Sequence, residues 1–181
     1  MKAFPKIILS LVVFGLGIGV GYAYKSPDKP EMLIGEITAQ DLQRGIYQSW
    51  YKEHHDTYEG NAEIMAQLPA LLEGVTIRLI MGTWCHVSQR EVPRFMAIME
   101  GTGFDRSHIR MIAVDKEFTV PDFDKASDFD KESLGITNTP TFIFYRGDKE
   151  INRIVETPVV SLEQDMLTIL KGETYRHSKM Q

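Results

Sequence analysis

The sequence has very little cysteine: Cys85 is the only one among its 181 residues. A chain with one cysteine cannot form an intramolecular disulfide, even in an oxidising compartment. The fold must therefore be held by its hydrophobic core, and the thiol is left free, reactive or capped by another molecule.

The sequence also lacks a cluster of basic residues beyond its first few positions, and its formal net charge is −5 at pH 7. Nucleic-acid binders usually carry a concentrated basic surface, so we expect no nucleic-acid partner. Candidate metal ligands are sparse too. His54 and His55 are adjacent and would point in different directions on a helix, and no third ligand follows at helical spacing. We expect neither a metal nor a cofactor.

The composition is that of an ordinary folded domain, with 43% hydrophobic and 25% charged residues. A chain of 181 residues can bury one sizeable core, and a second domain is not expected.

Only one long hydrophobic run is present, at residues 7–24, and it follows Lys2 and Lys6. Its 18 residues include four glycines, which would each weaken a soluble helix by about 1 kcal/mol and so disfavour a core helix. Gly21-Tyr22-Ala23 fits a cleavage site, whereas a run of this length only just spans a bilayer. Residues 1–25 are therefore predicted to be a signal peptide or a membrane anchor. Either one would export the protein to the periplasm or cell envelope, and the anchor would hold it at the inner membrane.

The region after this run divides into two predicted segments. Residues 26–37 form a linker that begins with prolines and charged residues. Residues 38–73 form an N-terminal helical extension, in which Pro69 predicts a kink or a break. The apolar positions of the first predicted helix recur every four residues: Leu42, Ile46 and Trp50.

Residues 74–174 alternate between strand-like and helix-like patterns, which indicates an α/β domain. The predicted strands are 75–81, 109–114, 142–145 and 151–155, and the predicted helices are 87–100 and 162–170. Residues 175–181 are predicted to be a polar tail that frays.

Cys85 lies between a predicted strand and a predicted helix. A helix N-terminus presents unpaired N–H groups and the positive end of the helix dipole, which favour a thiolate over a thiol. Trp84 is expected to be an exposed indole beside the sulfur. A buried structural cysteine is the competing interpretation.

Several features around Cys85 resemble the thioredoxin family. A strand leads into Trp-Cys-x-x-Ser at 84–88, where most members of the family have a second cysteine. Pro93 follows eight residues after Cys85, where the family has a helix-kinking proline. Further along, Thr139 and Pro140 precede a strand. The resemblance covers roughly residues 74–171.

The sequence is still more similar to a group of bacterial thioredoxin-like proteins that share the motif Gly-Thr-Trp-Cys-x-Asp-Ser-x-Arg-Glu-Val-Pro-Arg-Phe. Here the motif occupies residues 82–95, with Val87 in place of the aspartate. The likeness extends to the aromatic residues around Trp50 and Tyr58, and to Arg-Ile-Val-Glu-Thr-Pro at 153–158.

This resemblance implies a thioredoxin-like fold, with a central mixed sheet flanked by helices and strands 75–81 and 109–114 parallel. It implies that Cys85 is the nucleophile, with Ser88 beside it. Trp84, Thr139 and a cis Pro140 would form the substrate platform, and a protonated His86 could stabilise the thiolate. The pair Arg153 and Glu156 is expected to be a surface or structural ion pair.

Ser88 determines which reactions the resemblance allows. A serine can donate a hydrogen bond to a thiolate, but it cannot resolve a mixed disulfide, so an external thiol must complete any exchange. We therefore expect an exported monothiol protein that exchanges with protein disulfides or thiols, with a small thiol as a possible reductant. The alternatives are a protein-binding module without turnover and, less well supported, a peroxide or sulfenate sensor.

Overall fold

The computed structural model of the chain describes residues 32–120 and 131–180. The predicted signal or anchor at residues 1–25 lies outside this part. Within it, no helix is both long enough and apolar enough to cross a membrane. The strands are β1 (Gly35–Ile37), β2 (Val75–Met81), β3 (Ile109–Ala113), β4 (Thr141–Arg146) and β5 (Lys149–Val155). The helices are α1 (Ala39–Leu42), α2 (Gln48–Asp56), α3 (Ala62–Met65), α4 (Leu68–Leu71), α5 (His86–Gly101), α6 (Lys131–Leu134) and α7 (Leu162–Leu170).

The five strands form one mixed sheet in the order β1-β3-β2-β4-β5. β2 runs parallel to β3, as predicted, and antiparallel to β4. Leu79 of β2 lies between Met111 and Phe142, and no part of its side chain is exposed. A strand with neighbours on both sides and covered faces is typically rich in branched apolar residues, which is the pattern of β2.

Hydrophobic clusters cover the two faces of the sheet unequally. The larger cluster lies between the sheet, α5, α7 and the N-terminal helices, and in it the rings of Phe95 and Phe142 are 4.7 Å apart. The smaller cluster, on the other side of the strands, contains Ile80, Ile112 and Ile143, with Leu134 of α6 packed against it. The architecture is therefore a mixed α/β sheet flanked by helices.

The N-terminal extension is more broken than its sequence pattern predicts. The expected continuous helix is interrupted at Gly45, which has a φ of +55°, and a 3₁₀ turn at Gly45–Tyr47 separates α1 from α2. Ile46 therefore faces outward and is 57% exposed, whereas Tyr51 of α2 is buried. The predicted break at Pro69 is confirmed, because α3 ends at Met65 and α4 begins at Leu68.

The predicted linker and tail also differ from the structure. β1 occupies the last three residues of the segment 26–37, and it pairs with β3. The tail packs against β5, where the Ser178 hydroxyl donates to the Val155 carbonyl at 2.7 Å and the Asn152 amide to the Tyr175 carbonyl at 3.2 Å. Polar groups of the tail are therefore hydrogen-bonded to the sheet, where the sequence pattern predicts fraying.

Candidate functional site

Cys85 lies at the turn between β2 and α5, as the sequence predicts. It is the N-cap residue of α5, with extended backbone angles (φ −90°, ψ 118°), and its carbonyl accepts the first helical hydrogen bond, from Gln89 N–H, at 2.9 Å. The turn is closed by the Cys85 N–H, which donates to the Gly82 carbonyl at 3.0 Å. The sulfur is thus fixed at the start of a 16-residue helix, and the residue is partly exposed.

The sulfur contacts the other segment that the resemblance singled out. The Cys85 thiol donates to the main-chain carbonyl of Thr139, with Sγ and O 3.2 Å apart. Thr139 is buried, and the peptide bond between Thr139 and Pro140 is cis, as expected. A carbonyl oxygen only accepts hydrogen bonds, so this contact requires the protonated thiol.

The indole of Trp84 is less exposed than predicted. Its Nε1–H donates to the carbonyl of Val114 at 2.9 Å, and its ring packs beside Phe118, with the centroids 6.2 Å apart. The other face lies over Gly82, where a Cβ atom would come within 2.6 Å of the indole. The indole of Trp84, the residue before the cysteine, is therefore fixed in place, and Gly82 leaves the space for it.

Phe118 was not found by sequence reasoning, and it is held by a tight loop that follows β3. The Asp115 carboxylate accepts from the N–H groups of Glu117 and Thr119, at 3.0 and 2.7 Å, and from the Thr119 hydroxyl at 2.6 Å. Phe118 has a φ of +59°, an uncommon conformation for a bulky residue. An aspartate directly after the predicted strand 109–114 is the available signal for such a turn, but it does not reveal which aromatic ring the turn places beside Trp84.

Ser88 and His86 have different surroundings. Ser88 is fully buried, and its hydroxyl oxygen accepts the Gly82 N–H at 3.3 Å. This contact ties α5 to the turn and leaves the hydroxyl proton available, so the hydrogen bond from Ser88 to a thiolate stays a prediction. His86 is the first residue of α5 and is exposed.

A polar cluster that the sequence did not predict surrounds the Thr139 loop. Glu156 directly follows β5 and has a φ of +64°. Its N–H donates to the Pro140 carbonyl at 2.7 Å, and its Oε2 accepts from the Asn138 amide at 3.2 Å and pairs with Lys179. The predicted pair of Arg153 with Glu156 is wrong in its partners. Arg153 instead forms a two-pronged ion pair with Glu150, with both distances 2.6 Å.

A second polar contact joins the N-terminal extension to α7. The Tyr58 hydroxyl donates to Glu163 Oε2 at 2.5 Å, and the Asn61 N–H donates to Oε1 at 3.2 Å. Burial acts to raise the pKa of Glu163, but the hydrogen bonds, led by that from Tyr58, outweigh burial and lower it. Burial and the same hydrogen bond raise the pKa of Tyr58.

His55, one of the two adjacent histidines, lies in a surface network. His55 stacks on Tyr51, and its two ring nitrogens are each 3.0 Å from a carboxylate oxygen, of Asp56 and Glu100. In the described ranges, no group of three or more His, Cys, Asp and Glu side chains is arranged to hold a metal ion.

Comparison with solved structures bears on the fold. A Pseudomonas aeruginosa protein of unknown function matches with a TM-score of 0.52 at 18% identity, over 77% of this chain and 93% of its own. A Fasciola hepatica thioredoxin matches with a TM-score of 0.31 at 20% identity, over 50% of this chain and 79% of its own. The first match shows a shared fold. No protein-family model matches the sequence, and no curated protein matches it either.

Proposed function

We propose that this chain is an exported, thioredoxin-like monothiol protein that exchanges with disulfides or thiols of other molecules. One observation carries the proposal: the only cysteine lies at a helix start, with its sulfur 3.2 Å from the carbonyl of Thr139. Two segments 54 residues apart, both singled out by the resemblance, thus meet at one pair of atoms.

The proposed reaction needs only one protein sulfur. After the Cys85 proton leaves, the thiolate attacks one sulfur of a partner disulfide, forms a mixed disulfide and releases the other partner sulfur as a thiolate. An external thiol, from a small molecule or a protein, then attacks the mixed disulfide. It regenerates Cys85 and leaves with the partner sulfur as a new disulfide. Ser88 occupies the place of a resolving cysteine, so the second step cannot be completed within the chain.

The Thr139 carbonyl gives this site a means of accepting an extended partner. At rest it accepts the Cys85 S–H. A main-chain N–H of an extended segment can take the same acceptor, as in the addition of a strand to a sheet edge. The thiol then loses its hydrogen bond to this carbonyl. Binding of a partner therefore releases the sulfur for attack.

The proposed location and partners come from the sequence. Residues 1–25 carry the pattern of a signal peptide or an inner-membrane anchor, so the site is proposed to act in the periplasm or cell envelope. The partners are protein disulfides or thiols and a small thiol reductant, and no nucleic acid is proposed.

The test is capture of covalent partners in the cell envelope of the producing bacterium. On non-reducing gels the wild-type chain should give adducts that collapse when a thiol is added, since no second sulfur can release them. Cys85→Ala should abolish the adducts, and Ser107→Ala, which removes an exposed hydroxyl far along the chain, should keep them. Adducts that persist in Cys85→Ala would contradict the proposal.

A second candidate, a protein-binding module without turnover, is favoured by one specific observation. The sulfur and the Ser88 hydroxyl are both engaged within the protein, with the Thr139 carbonyl and the Gly82 N–H. Partners that co-purify without a disulfide, and equally well with Cys85→Ala, would favour this candidate.

A further inference from the structure

Glu156 contacts the residues on both sides of Thr139, Pro140 through its main chain and Asn138 through its side chain. Its N–H donates to the carbonyl of Pro140 at 2.7 Å, and its carboxylate accepts from the side chain of Asn138 at 3.2 Å. Thr139 lies between these two residues and presents its own carbonyl to the Cys85 sulfur. The orientation of that carbonyl is therefore constrained from both neighbouring positions by the same side chain and its backbone.

The backbone of Glu156 indicates that its side chain has a specific role. Its φ of +64° lies in the left-handed region, which glycine adopts freely and residues with a Cβ atom adopt at a cost. Sterically unfavourable residues of this kind concentrate at functional sites, where the surrounding contacts maintain them. Here those contacts are the Asn138 amide and the Lys179 ammonium group, which meet at the same carboxylate oxygen.

The carboxylate is also tied to the C-terminal segment. Lys179 belongs to a 3₁₀ turn at Ser178–Met180, and the Ser178 hydroxyl holds this turn to β5 through the Val155 carbonyl at 2.7 Å. A continuous series of contacts therefore joins the C-terminal 3₁₀ turn, Glu156, the Thr139 loop and the Cys85 thiol.

We infer that Glu156 is a positioning residue for the thiol site, because it fixes the Thr139 carbonyl. That carbonyl has two roles: it accepts the hydrogen bond of the Cys85 S–H, and it docks an extended partner. The second role rests on the proposed function, whereas the first depends only on the contacts of the resting protein. Lys179 and Asn138 act through Glu156.

Removal of the Glu156 carboxylate should speed the alkylation of Cys85 and slow its exchange with a peptide disulfide. In Glu156→Gly the backbone conformation becomes easier and the N–H remains, but the hold on Asn138 is lost. A less fixed Thr139 carbonyl holds the Cys85 S–H less of the time, so the sulfur is released more often and its alkylation by iodoacetamide should become several-fold faster. The same looseness should slow exchange with an extended peptide disulfide several-fold relative to exchange with oxidised glutathione, because only the peptide needs the main-chain docking group.

The experiment measures both rates for Glu156→Gly and Glu156→Gln, with Glu173→Gln as the matched control at an exposed position of the C-terminal segment. Glu156→Gln keeps an acceptor for Asn138 and loses the charge that pairs with Lys179, so its rates should lie between those of the wild type and Glu156→Gly. Asn138→Ala should add little to Glu156→Gly, since both remove the same contact. A merely structural role would move the two rates in the same direction, in step with stability.

The outcomes separate this inference from the proposed function. If the wild type exchanges with disulfides but Glu156→Gly matches Glu173→Gln in both rates, the positioning role is overturned and the proposed function stands. If the wild type exchanges with no disulfide, the proposed function fails, and faster alkylation in Glu156→Gly would still support the positioning of the resting thiol. Equal alkylation rates in that case would overturn the positioning role as well.

Discussion

The surroundings of Cys85 and those of Glu163 use polar groups in different ways. At Cys85 a partly exposed thiol and an indole each donate one hydrogen bond to a main-chain carbonyl. At Glu163 a buried carboxylate accepts hydrogen bonds from Tyr58 and Asn61, which lie between α2 and α3, one of them at 2.5 Å. A neutral hydrogen bond contributes about 1 kcal/mol to stability, whereas one to a charged group contributes about 1.5–3 kcal/mol. The first region can therefore change its contacts during a reaction, and the second connects the N-terminal extension to the domain.

The largest expected effect is a gain of activity at the thiol site. Ser88→Cys places a second sulfur one helical turn after the first, where it can resolve a mixed disulfide. In an insulin-reduction assay with a chemical reductant, the variant should rise from the background rate of the parent to a clear catalytic rate. Ser107→Cys is the matched control. It lies next to the start of β3, the end of the sheet opposite to Cys85, so it should remain at background. A Ser88→Cys variant as inactive as the parent would contradict the redox interpretation of the thiol site.

A change at the other region should affect stability alone. Tyr58→Phe removes the shortest donor to the Glu163 carboxylate and should lower the free energy of unfolding by about 1.5–3 kcal/mol. Denaturant titration measures this loss. The alkylation rate of Cys85 in the folded variant should stay at the wild-type value. A changed alkylation rate without a loss of stability would mean that the two regions are coupled.

The pH dependence of stability should also come from the Glu163 region. The pKa of Glu163 is lower in the folded protein than its ordinary value of 4.5, so its contribution is fully present above about pH 4.5. The contribution declines as the pH falls towards the folded-state pKa and is absent below it. Unfolding measured between pH 3 and pH 7 should therefore show a smaller acid loss in Glu163→Gln than in the wild type. Parallel curves would contradict the assignment.

The smallest expected effect is at Tyr51, which packs beside His55 in the same extension. Its hydroxyl is buried and lacks a hydrogen bond of normal geometry among the described residues. Burial raises its pKa and outweighs the opposing effect of the Gln43 side chain. Tyr51→Phe removes a polar group that burial disfavours, so stability should stay equal or rise by up to about 1 kcal/mol. Thermal unfolding of Tyr51→Phe and Tyr58→Phe should be measured side by side. Loss of the Tyr51 hydroxyl should leave Tm unchanged or raise it, and loss of the Tyr58 hydroxyl should lower it.

The sequence predicts the parts of the structure that depend on local patterns. The bounds of β2 and α7 agree with the prediction, because buried runs and helical periods are local properties. The interruption at Gly45 could not be predicted from the spacing of Leu42, Ile46 and Trp50, which fits a helix equally well. The resemblance brought Cys85 and Thr139 together correctly. It could not indicate Glu156 or Phe118, since their roles depend on contacts between distant segments and on positive φ values.

The contact between Cys85 and Thr139 also determines at which stage of folding the thiol gains its hydrogen-bond acceptor. The two residues are separated by 54 positions, and they meet only after β2 and β4 have paired. Contacts between distant positions carry a loop-closure cost and form only as the chain reaches its native topology. An unfinished chain thus exposes an ordinary cysteine, whose S–H does not yet have the Thr139 carbonyl as its hydrogen-bond acceptor. The selectivity that the proposed function requires is consequently a product of completed folding, and unfolded copies would exchange with any accessible disulfide.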